Sequence, residues 1–197
     1  MNDLSPIIAS RKTGEEVFTG LGKGKLLTLK DFWQWSSSDL VSNATRGILA
    51  EFLVASALEL NHGVRNEWDS YDLNTETGVK IEVKSAAYVQ SWYQQKLSNI
   101  TFNIRPTFAF DYKTSRLAKD KKKRQADVYV FCLLHHEDKK TVNPMDLSQW
   151  TFYVVSTRKI EQTYRNKKSI SLSGLMKLNP IVCSFDGLKE AVENSVK

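Results

Sequence analysis

A chain of 197 residues that is 41% hydrophobic and 25% charged has the make-up of one soluble domain with a full core, and not of a disordered or fibrous chain. Its longest apolar run is far short of a membrane span, and no basic stretch followed by an apolar one opens it, so neither a transmembrane helix nor a signal peptide is expected. The net charge of +6 is local: seven basic residues from Lys113 to Arg124 stand against Asp120 alone, and the rest of the chain is neutral as a whole. Such a focus suits a polyanionic partner, and it equally suits a solvated loop. Cys132 and Cys183 sit in apolar surroundings and read as core residues, which makes a reducing cytoplasm the expected setting.

Residues 1–24 are polar, with glycines at 14, 20, 22 and 24, and read as a loosely structured lead-in. Phe32, Trp33 and Trp35 then cluster, as core or a packing lid, with base stacking as the other reading. A long helix is predicted from Ser42 to Leu60, capped by Ser42 or Asn43, with Gly63 just past its end. Glu51 is the odd residue on it. Ile48, Val54, Gly47 and Ala55 flank it one turn away, so it points inward, where a bare carboxylate is costly. Either Arg46 or Arg65 pairs with it, or it faces a metal cleft.

Trp68 to Lys84 reads as a hairpin. Its first arm is Arg65 to Leu73, and its turn is Asn74 to Gly78. Beyond the turn the residues alternate strictly. Val79, Ile81 and Val83 lie on one face, Lys80, Glu82 and Lys84 on the other, which is the strand period. The pairing brings Asp72 towards Glu82. Two carboxylates and a lysine at one strand edge make a site for a divalent cation with a charge stabiliser beside it. Just downstream, Gln90, Trp92, Tyr93, Gln94 and Gln95 are either contacts to phosphate or base edges, or an ordinary strand exit.

Asn99 to Ile104 alternates and predicts another strand, and the basic segment from Lys113 predicts a loop with part of a helix. Asp127 to Leu134 is the most apolar run and predicts a central strand buried on both faces. His135 and His136 read as a solvated turn. Trp150 to Ser156 is a further strand, 157–168 reads as a polar basic helix or loop, and helices are expected near 171–178 and at the C-terminus after Ser184 or Asp186. Interleaved strands and helices predict an α/β or α+β fold: one domain over residues 1–197, built on a mixed sheet of about five strands between helices.

Acid-x-Lys triplets occur five times, so the triplet alone means little. Only Glu82-Val83-Lys84 combines an alternating strand with an acid across a turn, Asp72, and a helical acid before that, Glu51. This order and spacing resembles the PD-(D/E)XK nuclease superfamily over roughly Ser42 to Phe131, with Tyr71 where the family name has proline. The resemblance implies a restriction-endonuclease-like fold and a metal-dependent DNA endonuclease of restriction or repair type. It implies Asp72, Glu82 and the Val83 carbonyl as ligands of Mg²⁺, with Mn²⁺ as a substitute. Glu51, Asp72, Glu82 and Lys84 are then the catalytic set, and Gln90, Lys119, Lys121, Lys122, Lys123 and Arg124 are expected to meet nucleic acid. Cutting both strands of a duplex would call for a homodimer. A catalytically silent nucleic-acid-binding module on the same fold, or a basic adaptor in which these charges form a structural ion-pair cluster, are the competing readings.

Overall fold

A computed structural model describes residues 4–111, 116–117 and 122–197. The chain enters helix α1 (Leu29–Ser37) through a capping box. Thr28 accepts from the Asp31 N–H, and Asp31 accepts from the Thr28 N–H in return. Ser42 caps α2 (Asn43–Ala57) by accepting from the Thr45 N–H. Strands β1 (Leu73–Asn74), β2 (Lys80–Ala87), β3 (Thr101–Asn103), β4 (Phe110–Asp111), β5 (Arg116–Leu117) and β6 (Val128–Leu134) follow. Then come β7 (Trp150–Ser156), α3 (Thr157–Tyr164), β8 (Ser169–Ser171), α4 (Leu172–Met176), β9 (Ile181–Cys183) and α5 (Leu188–Ser195).

The main sheet is mixed, in the order β1-β2-β6-β7-β9, with β2 parallel to β6 and the other pairs antiparallel. All seven residues of β6 are buried, as its apolar run predicted. Its alternate residues feed two cores. Val128, Val130, Cys132 and Leu134 pack with Ile81, Val83, α2 and α5 on one face of the sheet. Tyr129, Phe131 and Leu133 pack on the other face with Ala86, Phe102, Ile160 and Ile170, beneath α3, α4 and the two-stranded sheet β3–β8. Glu82 and Lys84 belong to this second face, alternating with the buried Ile81 and Val83 of the first.

Several local expectations differ. The first hairpin arm is short. Residues 65–72 are irregular, and only Leu73 and Asn74 pair with Ile81 and Lys80. The aromatics of α1 do not enter either core, since no residue of that helix is buried and Trp35 is 85% exposed. Helix α2 ends at Ala57, well before Gly63: Glu59 takes a left-handed backbone (φ 60°). In the basic stretch the described residues form β5 and an antiparallel bridge of Thr107 to Lys123, with no helix among them.

Candidate active site

The turn before β2 is fixed by its own hydrogen bonds. The Gly78 N–H donates to the Thr75 carbonyl (2.9 Å), the Thr75 N–H donates to the Val79 carbonyl (3.0 Å), and Thr75 Oγ1 accepts from the Val79 N–H. Gly78 sits at φ 86°, a conformation its missing Cβ allows. This turn sets the register that carries Asp72 to the free edge of β2. There the Asp72 N–H donates to the Ile81 carbonyl (3.0 Å), and Asp72 Oδ2 accepts from the Val83 N–H (2.7 Å). A strand residue presents its N–H and C=O on the same edge, so the Val83 carbonyl faces the same side as Asp72.

Lys84 Nζ stands 2.5 Å from Glu82 Oε1 and 3.8 Å from Asp72 Oδ2. The three side chains are 20–27% exposed, so the cluster is partly shielded while still reachable from solvent. Burial, reinforced by the charge of Glu82, raises the pKa of Asp72. Burial pulls Lys84 the other way, but the carboxylates of Glu82 and Asp72 outweigh it and hold the ammonium above its ordinary value. Tyr129, opposite Glu82 in the sheet register, has its phenol raised by burial and then by the Glu82 charge, so it stays protonated.

Glu51 lies behind this group, with a side chain 15% exposed, and Arg65 grips it through both Nε and Nη2. Arg65 also reaches Glu67 (2.9 Å), and its own pKa is raised chiefly by the bond to Glu51. The arginine alternative for Glu51 is thus what the structure shows, although its field still reaches Lys84. Arg65 in turn feels Asp72 and links Glu51 to the site. Sequence reasoning gave Arg65 no part beyond pairing and passed over Tyr129. A cavity of about 1090 Å³ beside Arg65, walled by Trp68, Phe110 and the N-terminal segment, touches none of Asp72, Glu82 and Lys84.

Among the described residues no three acids, histidines or cysteines form a ready cage for a metal. Asp72, Glu82 and the Val83 carbonyl nonetheless offer only oxygen donors, and few of them. That donor set fits a hard cation that keeps part of its water shell.

The residues expected to meet nucleic acid separate. Lys122 and Lys123 are exposed, while Lys119 and Lys121 lie outside the described residues. Gln90 is 6% exposed, and its amide is used up internally: it donates to the Ala87 carbonyl (2.9 Å) and Ser98 Oγ (3.2 Å), and accepts from Arg46 (3.3 Å). Arg124 has no exposed side-chain surface. Its guanidinium donates to the carbonyls of Ile104, Tyr164, Arg165 and Lys167 and pairs with Glu161. Both are framework residues and not the surface contacts that the sequence led one to expect.

The model of the bacteriophage T4 endonuclease IV family matches residues 28–174. The chain belongs to that family. No curated protein and no solved structure matches it. The stretch shared with the endonuclease IV family runs from the cap of α1 into α4 and contains Glu51, Arg65, Asp72, Glu82 and Lys84. A nuclease family implies a nucleic-acid substrate, and no helix among the described residues is long and apolar enough to cross a membrane.

Proposed function

We propose that the chain is a metal-dependent DNA endonuclease whose active site is built on the PD-(D/E)XK plan, and that it acts in the cytoplasm in restriction- or repair-type cleavage. The observation that carries this reading is the ammonium of Lys84 set against the carboxylates of Glu82 and Asp72 at the edge of β2, in a chain of an endonuclease family. Asp72, Glu82 and the Val83 carbonyl would hold Mg²⁺ or Mn²⁺. Such a cation lowers the pKa of its water and offsets charge on the phosphate.

The chain's own residues do the rest. The Val83 N–H fixes one oxygen of Asp72 and so orients the other (2.7 Å bond). Lys84 stays protonated, so it can donate a hydrogen bond to the attacking water or to a phosphate oxygen as charge develops there. Glu51, held by Arg65, keeps a negative field behind Lys84 and supports its protonated form.

Plasmid nicking in Mg²⁺, Mn²⁺ and EDTA tests this. Cleavage should need the metal and fall by at least about 100-fold in Glu82→Gln and in Lys84→Ala. Wild-type protein that binds DNA and never cuts it would mark a silent module on the same fold. Cleavage that persists in both variants would sink the assignment of the site.

A further inference from the structure

The fold sets Lys122 and Lys123 of the basic run beside basic residues from other parts of the chain. We infer that a preorganised track for a nucleic-acid backbone leads away from the β2 edge, through Lys80 and Lys123 to Arg105, Arg165 and Lys168. The inference rests on the reading that the chain acts on nucleic acid, but it does not depend on the chemistry of Asp72, Glu82 and Lys84.

The track starts beside the site. Lys80 lies two residues before Glu82 on the same strand face, over the ring of Tyr71 at 5.3 Å. A concavity of about 930 Å³ is lined by Lys80, Lys123, Arg158 and Lys159. Lys123 is shared with a second hollow of about 540 Å³, lined also by Arg105, Lys122, Arg165 and Lys168. The acids in these walls are already engaged. Asp127 accepts from the Lys80 N–H (2.9 Å), and Glu161 pairs with Arg124. Among the described residues none of Arg105, Lys122, Lys123, Arg165 and Lys168 pairs with a carboxylate. Cations left without carboxylate partners along a concave path are what a phosphodiester backbone neutralises.

Arg124 makes this surface rigid. The carbonyls its guanidinium holds, at Ile104 (2.8 Å), Tyr164 (3.1 Å) and Lys167 (2.9 Å), each precede one of the exposed bases Arg105, Arg165 and Lys168. Thr107 and Lys123 exchange two backbone bonds of 3.0 Å, and the Ile104 N–H donates to the Lys168 carbonyl (2.9 Å). One buried arginine therefore fixes the backbone beneath the bases contributed by the segment after β3 and by the turn from α3 to β8. The charge run itself supplies only Lys122 and Lys123 to the described part of the surface.

The test is binding of a fluorescein-labelled duplex and of its single strand, in EDTA, across a salt series. It compares wild type with Arg165→Gln/Lys168→Gln and with Lys96→Gln/Lys140→Gln. The second pair removes the same charge at the opposite end of β2 and β6. Wild type and both variants are also assayed for nicking in Mg²⁺, and their thermal unfolding is compared to show that the variants fold. The first variant should bind at least one of the two probes on the order of tenfold more weakly, with a log–log salt slope shallower by about two, while the control pair matches wild type. Equal affinity and slope in the first variant, with nicking intact in wild type, would overturn the track and leave the nuclease reading standing. Equal losses in both variants would overturn it too, since any lysine would then serve. Loss of binding confined to the first variant, in a protein that nicks nothing, would uphold the track and remove the nuclease reading. Wild type that binds neither probe would end both.

Discussion

Asp72 carries most of the electrostatic cost of the site. It is largely buried, it stands near Glu82, and its one cationic neighbour in the cluster is 3.8 Å away. Its folded-state pKa is therefore above the unfolded value. A carboxyl shifted in that direction favours the folded state while it is protonated. That contribution is complete below the unfolded value near 3.9, and it is lost as pH rises through the folded one. At pH 7 the ionised Asp72 is thus a liability to the metal-free fold. In EDTA, Asp72→Asn should raise Tm at pH 7 by about 2–4 °C, corresponding to about 1 kcal/mol, while abolishing cleavage. The gain should shrink as pH is lowered through the raised Asp72 value. A lower Tm for the variant at pH 7 would show that the Asp72–Lys84 attraction dominates instead. Glu82 and Lys84 were legible in the sequence because alternation fixes which face a strand residue takes. Glu51 was legible as inward-pointing with either an arginine or a metal cleft before it, since helical spacing gives a direction and leaves open which partner arrives from a loop. Arg124 was misjudged because a run of like charges hides alternation: the bridge at Lys123 turns that lysine outward and the next residue in.

At the level of elements, the end of α2 shows where local signals stop. The Leu60 N–H donates to the Ala55 carbonyl (2.7 Å) and the Glu59 N–H to the Ser56 carbonyl (3.1 Å), the pair of bonds that closes a Schellman motif. The position between helix and exit needs a left-handed residue, and a glutamate holds it at φ 60°. Nothing in the composition marks such an end, so the glycine at 63 was the visible stop signal while the chain turned earlier. Glu59 pairs with Lys189, but both side chains are more than half exposed and solvent screens the pair. The backbone term should therefore win. Glu59→Gly is expected to stabilise the fold by about 1 kcal/mol, a Tm rise of about 2–4 °C. A fall in Tm would mean that the Lys189 contact matters more than its exposure allows. The Ser42 cap, β2, β6 and β7 were legible because each carries its own period or cap. The first hairpin arm was not, because residues 65–72 are held by side chains such as Arg65 and Asp72 more than by a strand ladder.

For the whole molecule, the apolar run of β6 announced the centre of a sheet, but not its order. Parallel pairing of β2 with β6 depends on what crosses between them, residues 88–127, and those residues carry weak periodicity of their own. Two separate cores, one on each face, follow from that placement. The N-terminal region is the opposite case, a polar stretch whose few apolar residues the fold leaves in water. Leu4, Ile7 and Ile8 are 91%, 97% and 94% exposed, although their stretch forms one wall of the cavity at Trp68 and Phe110. Arg11 ties this region down by donating to the carbonyls of Asn61 (3.2 Å) and His62 (3.4 Å) just beyond α2. Gly14 and Glu16 then bond to the start of α1. Apolar groups that stay in water contribute no transfer free energy, so their removal should cost the fold almost nothing. Deleting residues 1–10 while keeping Arg11 is predicted to shift Tm by no more than about 2 °C, the range of ordinary surface changes in a chain of this size. The further deletion through Thr13 should cost more, because it takes both Arg11 bonds and the Thr13 contacts to Glu16 with it. A large loss from the first deletion alone would mean that the segment packs against something in solution, and its concentration dependence would separate a second copy from an internal contact.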